Sequence, residues 1–183
     1  KEGNASQINW EYLMMFGANG LLSFLSVFFI YAYEKIFGLV SDVTLLELSS
    51  TNTKLLKELN EKAPGTFQHS MQVANLAEAA ASEIGANSML VRTGALYHDI
   101  GKILNPMYFI ENQSTGVNPH NDLSPTDSAK IITDHVIKGI ELAKQNRLPD
   151  RIIDFIRTHH GTSLVYYFYV KEKEKSPEEE VAI

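Results

Sequence analysis

The side chains in this sequence that can do metal or phosphoryl chemistry fall in a definite order. His69 comes first, then His98-Asp99 within GALYHDIGK, then His135, then His159-His160. Imidazole and carboxylate are costly to bury unless paired or ligated, and together they suit first-row divalent metals. A His-Asp pair alone means little, because short matches of common residues arise by chance. The other histidines supply its context. At helical spacing His98 shares a face with Val91, Gly94, Ala95 and Lys102, where two small residues admit a neighbouring helix; Asp99 lies beside Ala95. His135 lies over Ile131 and Ile132. His159 and His160 end a helix whose Ile152, Ile153 and Ile156 point inward, and His69 lies one turn before Val73 and Leu76. Five of the six histidines therefore read as inward-facing, on four separate helices. A single such histidine is ordinarily a satisfied core residue, but five with an aspartate read as a metal site between facing helices.

The composition narrows the chemistry. At 183 residues the chain suits one domain and an appendage. A formal charge of −6 is not that of a protein gripping a nucleic-acid polymer through a broad basic surface. An anionic substrate would need a locally positive site, which a metal provides. The absence of cysteine removes disulfides, thiolate zinc sites and thiol nucleophiles.

The elements that must position these residues are helical. Residues 12–33, YLMMFGANGLLSFLSVFFIYAY, carry no charge, and the run matches the roughly 20 residues needed to cross a bilayer core. Trp10 and Tyr12 at one end and Tyr31 and Tyr33 at the other resemble interfacial aromatic belts. A buried core helix is the alternative, and the flanking charges (Lys1, Glu2 and Glu11 against Glu34 and Lys35) leave the direction of crossing open. Residues 1–11 then form an extramembrane segment, and residues 34–62 a connector of two amphipathic stretches, capped at Ser41 or Asp42 and at Asn52 or Thr53.

From residue 63 to 183 the pattern is a helical domain. One helix runs from Phe67 to Ile84, capped by Thr66 and presenting Phe67, Met71, Ala74, Ala77, Ala81 and Ile84. A second runs from Ser88 to Ile103 after an Asn87 cap. A polar loop from Leu104 to Leu123, carrying Ser114-Thr115-Gly116, is long enough to expect a functional role. Ser124-Pro125-Thr126-Asp127 opens a third helix reaching Asn146, and a fourth runs from Pro149 to His160-Gly161. The tail KEKEKSPEEE reads as a solvated charge run. The fold class is all-α: one transmembrane helix followed by a helical bundle.

In this order the motifs resemble the HD-domain metal-dependent phosphohydrolases, and more narrowly the membrane-anchored PgpH-type cyclic di-AMP phosphodiesterases. The matching strings include APGTFQHS, YHDIGK, FIENQ, NPHNDLSP, HVIKGIELA, LPDRIIDFI and HHGT, spread over about residues 63–163. Gln68 departs from the family, which commonly has a second histidine there. The family also completes its site with an aspartate downstream of the histidine pair, and no such residue follows here, so the chain reads as a fragment of a larger membrane protein. A natural, degenerate site is the alternative.

The resemblance implies that Asp99 bridges two divalent ions, Mn or Fe. One would be held by His69, His98 and the missing aspartate, the other by His135, His159 and His160. It implies a water deprotonated between the ions and in-line attack on phosphorus, giving linear pApA from cyclic di-AMP. Lys102 is placed either to meet a phosphate oxygen in catalysis or as a surface lysine, and Asn112 and His120 are expected to line the substrate pocket from the long loop. Expected partners are the cyclic dinucleotide, the lipid bilayer and a second copy of the chain as a homodimer, with no nucleic-acid polymer. The expected location is a bacterial cell membrane with the domain in the cytoplasm. Other readings stay open: a non-catalytic nucleotide sensor, a di-haem protein, or hydrolysis of dNTPs, guanosine tetraphosphate or cyclic di-GMP.

Overall fold

A computed structural model describes residues 9–113 and 116–175, all helix and connecting turns, with no strand among them. Expectations for Lys1, Glu2, Ser114, Thr115 and residues 176–180 lie outside the described residues. The chain divides into two compact units, one ending at Ser41 and one beginning at Asp42.

The first unit is helix α1, Trp10–Phe37, longer at both ends than the apolar run. Asn9 caps it by accepting from the Glu11 amide at 3.0 Å, and Gly38, at φ +61°, ends it in the left-handed region. No residue of α1 is buried, although its sequence is apolar on every side. It is long and apolar enough to cross a membrane.

The second unit begins earlier than residue 63. Helices α2, Asp42–Leu48, and α3, Lys54–Lys62, bury Leu45, Leu55, Leu56 and Leu59, so the expected connector is core. Burying each leucine contributes about 1.5–3 kcal/mol. Their loop is pinned to the next layer. The Tyr97 hydroxyl donates to the Leu48 carbonyl at 2.9 Å and accepts from Thr53 Oγ1 at 3.1 Å, while Thr93 Oγ1 donates to the Leu45 carbonyl at 3.3 Å. Thr53 therefore spends its hydroxyl on Tyr97 and makes no side-chain cap for α3.

Helix α4, Pro64–Glu83, starts before Thr66 because Pro64 occupies its first turn, where a missing amide costs nothing. Its buried stripe is Thr66, Ser70, Ala74 and Ala81, whereas Ile84, expected inside, is 80% exposed. Helix α5, Ser88–Tyr97, has the expected Asn87 cap, which accepts from the Leu90 amide at 2.9 Å. It ends six residues short of Ile103. A separate 3-10 turn follows over Ile100–Leu104, so His98 and Asp99 sit at the junction rather than within a helix. Arg92 ties α5 to α4 through Asn75 (2.8 Å) and Glu78 (2.7 Å).

The loop expected from Leu104 to Leu123 holds further 3-10 turns at Pro106–Tyr108, Ile110–Asn112 and Pro119–Asp122. Helix α6, Pro125–Gln145, opens as expected, with Ser124 Oγ accepting from the Asp127 amide at 3.0 Å. Helix α7, Asp150–Thr158, buries Ile152, Ile153 and Ile156. Gly94 lets it close on α5, since a Cβ there would fall 2.3 Å from the Phe155 ring. Helix α8, Tyr166–Lys175, takes in the KEKEK half of the charge run and seats Phe168 inward.

Candidate metal centre

The centre forms where the α5 junction meets α6 and α7. Asp99 lies at φ −109°, ψ 15°, in the sparsely allowed region between helix and strand where active-site residues recur. Its carboxylate is buried. Oδ2 lies 3.1 Å from His98 Nε2 and 2.9 Å from Lys102 Nζ; Oδ1 lies 3.3 Å from His135 Nε2 and 3.4 Å from His159 Nε2. His135 and His159 bring their Nε2 atoms within 3.3 Å of each other.

Each of these three imidazoles is aimed by its own helix. His98 Nδ1 meets the Ala95 carbonyl at 2.7 Å, His159 Nδ1 the Ile156 carbonyl at 2.8 Å, and His135 Nδ1 the Ile132 carbonyl. A carbonyl only accepts, so Nδ1 carries the proton and Nε2 is left to face Asp99. The same second-shell bond orients imidazoles in metalloproteins.

The donor atoms fall into two groups that share Asp99. Ligand atoms of Asp99, His135, His159 and His160 lie within 4.8 Å of one another, as do those of His69, His98 and Asp99. Two expected inward positions are exposed instead: His69 and His160 reach solvent. His69 lies one residue, about 100°, off the buried stripe of α4, and His160 follows the last turn of α7.

The electrostatics fit a cation. Burial alone would raise the Asp99 carboxyl, but the surrounding His135, His159 and His98 imidazoles hold it far below the usual carboxylate range. Asp99 Oδ1 is fully buried with no hydrogen-bond partner. His98 is raised because Asp99 outweighs its burial. Although His160 reaches solvent, the partly desolvated side of its ring and the neighbouring His159 and His135 lower it to about 4, so it presents a neutral lone pair. The Lys102 ammonium lies against Oδ2; at Oδ1, imidazolium protons on both His135 and His159 would repel, with ring centroids only 5.4 Å apart. A divalent cation would supply positive charge there without that repulsion. Donor set and geometry have the chemistry of a divalent metal site.

Lys102 sits between two carboxylates, Asp99 and Glu111, whose Oε1 accepts from Nζ at 2.8 Å, and above the Phe109 ring at 4.8 Å. Asp99 and Glu111 outweigh burial and raise the ammonium, so it stays charged; Lys102 in turn lowers Glu111 against the effect of its own burial. Lys102 is therefore an internal ion-pair partner rather than a surface lysine.

Asn112 and His120 make bracing contacts. Asn112 Oδ1 accepts from the Thr66 amide at 3.1 Å, and its Nδ2 donates to Thr66 Oγ1 at 2.8 Å. His120 is buried between Tyr108 and Phe168, with Nε2 2.9 Å from the Tyr108 carbonyl. Sequence reasoning did not single out Glu111 and gave Thr66 only the role of a helix cap. Their neighbours in FIENQ and APGTFQHS are visible, but the bond between them spans 45 residues and leaves no periodic trace.

The chain belongs to the HD-domain family, whose model matches residues 66–183. Among characterised proteins it is similar to the cyclic-di-AMP phosphodiesterase PgpH of Listeria monocytogenes, 51% identical over 171 residues, which is 93% of this chain and 23% of that protein. PgpH of Bacillus subtilis is 48% identical over 143 residues, covering 78% of this chain and 20% of that protein. The crystal structure of the L. monocytogenes PgpH HD domain in complex with cyclic-di-AMP superposes with a TM-score of 0.69 at 55% identity, over 72% of this chain and 61% of that one. The chain thus spans about a quarter or less of the length of these two relatives.

Proposed function

We propose that this chain carries the catalytic part of a metal-dependent phosphodiesterase that cleaves cyclic di-AMP to linear pApA. The observation that carries this reading is the division of Asp99, with Oδ2 facing His98 and Oδ1 facing His135 and His159. His69 and His98 on one side of Asp99, and His135, His159 and His160 on the other, would each hold a divalent ion. The ions, Mn or Fe, would supply Lewis acidity at a phosphoryl oxygen and activate water at neutral pH.

The chain's own residues do the rest. The Ala95, Ile132 and Ile156 carbonyls hold three imidazoles in the ligating tautomer. Lys102 keeps a fixed positive charge beside Asp99, where it complements a phosphodiester in the transition state. Asn112 and His120 serve the substrate by shaping the loop. The similarity to PgpH proteins of two bacteria supports the cyclic di-AMP assignment. Helix α1 spans the cell membrane, and the domain lies on the cytoplasmic side, where cyclic nucleotides occur.

The test is turnover by the full chain, loaded with Mn and given cyclic di-AMP in water enriched in heavy oxygen. The expected product is pApA with one solvent oxygen in its 5′-phosphate. His135→Ala and His159→Ala should abolish turnover while the helical signal persists. A chain that binds the nucleotide for hours and releases no pApA would leave a sensor in place of the enzyme.

A further inference from the structure

Lys102 presents a difficulty for a centre that must collect cations. Its ammonium lies 2.9 Å from Asp99 Oδ2, the oxygen that also faces His98. An unrestrained lysine there would compete for that oxygen with any ion bound by His69 and His98. Opposite charges at this separation in a buried site attract strongly.

Glu111 opposes that competition. Its Oε1 takes the same ammonium at 2.8 Å and is itself anchored by Thr66 Oγ1 at 3.0 Å. Thr66 is in turn locked to Asn112 by two hydrogen bonds, 3.1 Å and 2.8 Å. Thr66 belongs to the first turns of α4, three residues before His69. The turn that holds Glu111 is therefore fastened to the helix that presents His69, and Phe109 beneath the ammonium also packs edge-on against His135 at 5.5 Å.

We infer that Glu111 is a positioning residue: anchored through Thr66, it gives the Lys102 ammonium a second carboxylate, so that the ammonium can yield Asp99 Oδ2 to an ion held by His69 and His98 without losing its ion pair. The inference rests on the metal-site reading above. It predicts coupling of a specific sign, because the loss of Glu111 matters only while Lys102 is present to hold on to Asp99 Oδ2.

The test is a Mn titration by calorimetry on the full chain and on Glu111→Gln, Lys102→Met and the double variant, with helical content checked for each. Glu111→Gln should weaken one ion about tenfold, the lower end of the range for second-shell partners, and leave the other unchanged. In the Lys102→Met background the same change should cost about twofold or less, a departure from additivity that double-mutant cycles measure. Glu111→Asp, too short to reach Thr66 and Lys102 together, should follow Glu111→Gln and decides the question if the glutamine variant misfolds. Additive effects, equal weakening of both ions, or an unchanged titration would each overturn the inference. A parent chain that binds no Mn would instead overturn the metal-site reading itself.

Discussion

Gly101 lies so close to α6 that a Cβ on it would fall 1.8 Å from the carbonyl oxygen of His135. That contact seats α6 directly on the turn that carries Asp99, and it sets the 3.3 Å approach of His135 to the carboxylate. Gly101→Ala must push the two segments apart. We expect a loss of about 1–3 kcal/mol, as for other overpacked cores, and a larger proportional loss of Mn affinity. Chemical denaturation and metal titration on the same variant check both.

Asp99→Ala should remove both ions together, because its two oxygens face the two histidine groups separately. Elemental analysis that still finds one tightly held ion per chain would assign the bridge elsewhere.

Stripping the metal should lower the melting temperature without dissolving the helices. The imidazoles are held by carbonyls of their own helices, so the scaffold does not depend on the ion. An ion at a hundred times its Kd adds about 2.7 kcal/mol of stability, so chelation should lower Tm by roughly 5–10 °C in a protein of this size. Differential scanning calorimetry with and without chelator measures the difference.

The α2–α3 segment should prove indispensable to the domain. Leu56→Ala and Leu59→Ala each leave a hole in a fully buried site and should cost about 2–5 kcal/mol. A chain started at Asp42 should fold cooperatively in urea, and one started at Ala63 should not.

Much of this was legible beforehand because the signals were local. The Asn87 and Ser124 caps lie beside the helices they start, and the small pair Gly94-Ala95 marked the helix approach that Phe155 makes. The order of histidines marked the centre. What escaped was non-local or aperiodic. The α5 pattern continues on paper through Ile103, yet the seating of Gly101 against α6 accompanies a tighter turn at Ile100–Leu104. The α8 helix was hidden under a charge run because its inward anchor is the single residue Phe168. The connector leucines looked like an amphipathic spacer, and the Thr53–Tyr97, Tyr97–Leu48 and Thr93–Leu45 bonds reveal what they pack on.

Topology offers a separate prediction. The chain has no cysteine, so a single one introduced at exposed Glu61 is a unique label. With α1 crossing the membrane and the domain in the cytoplasm, an impermeant thiol reagent should modify that position only after the cells are opened. Labelling of intact cells would reverse the orientation and remove the substrate with it.

Three of the five candidate ligand imidazoles are each aimed by a carbonyl three residues earlier, yet the carboxylate that unites them draws on three well-separated stretches of chain. During translation α1 leaves the ribosome before the junction bearing Asp99, and the His159-His160 pair follows α6. Both donor groups around Asp99 are therefore complete only after α7 has been made. A ribosome stalled after α6 would display a chain with its helices begun and its candidate metal centre still unmade.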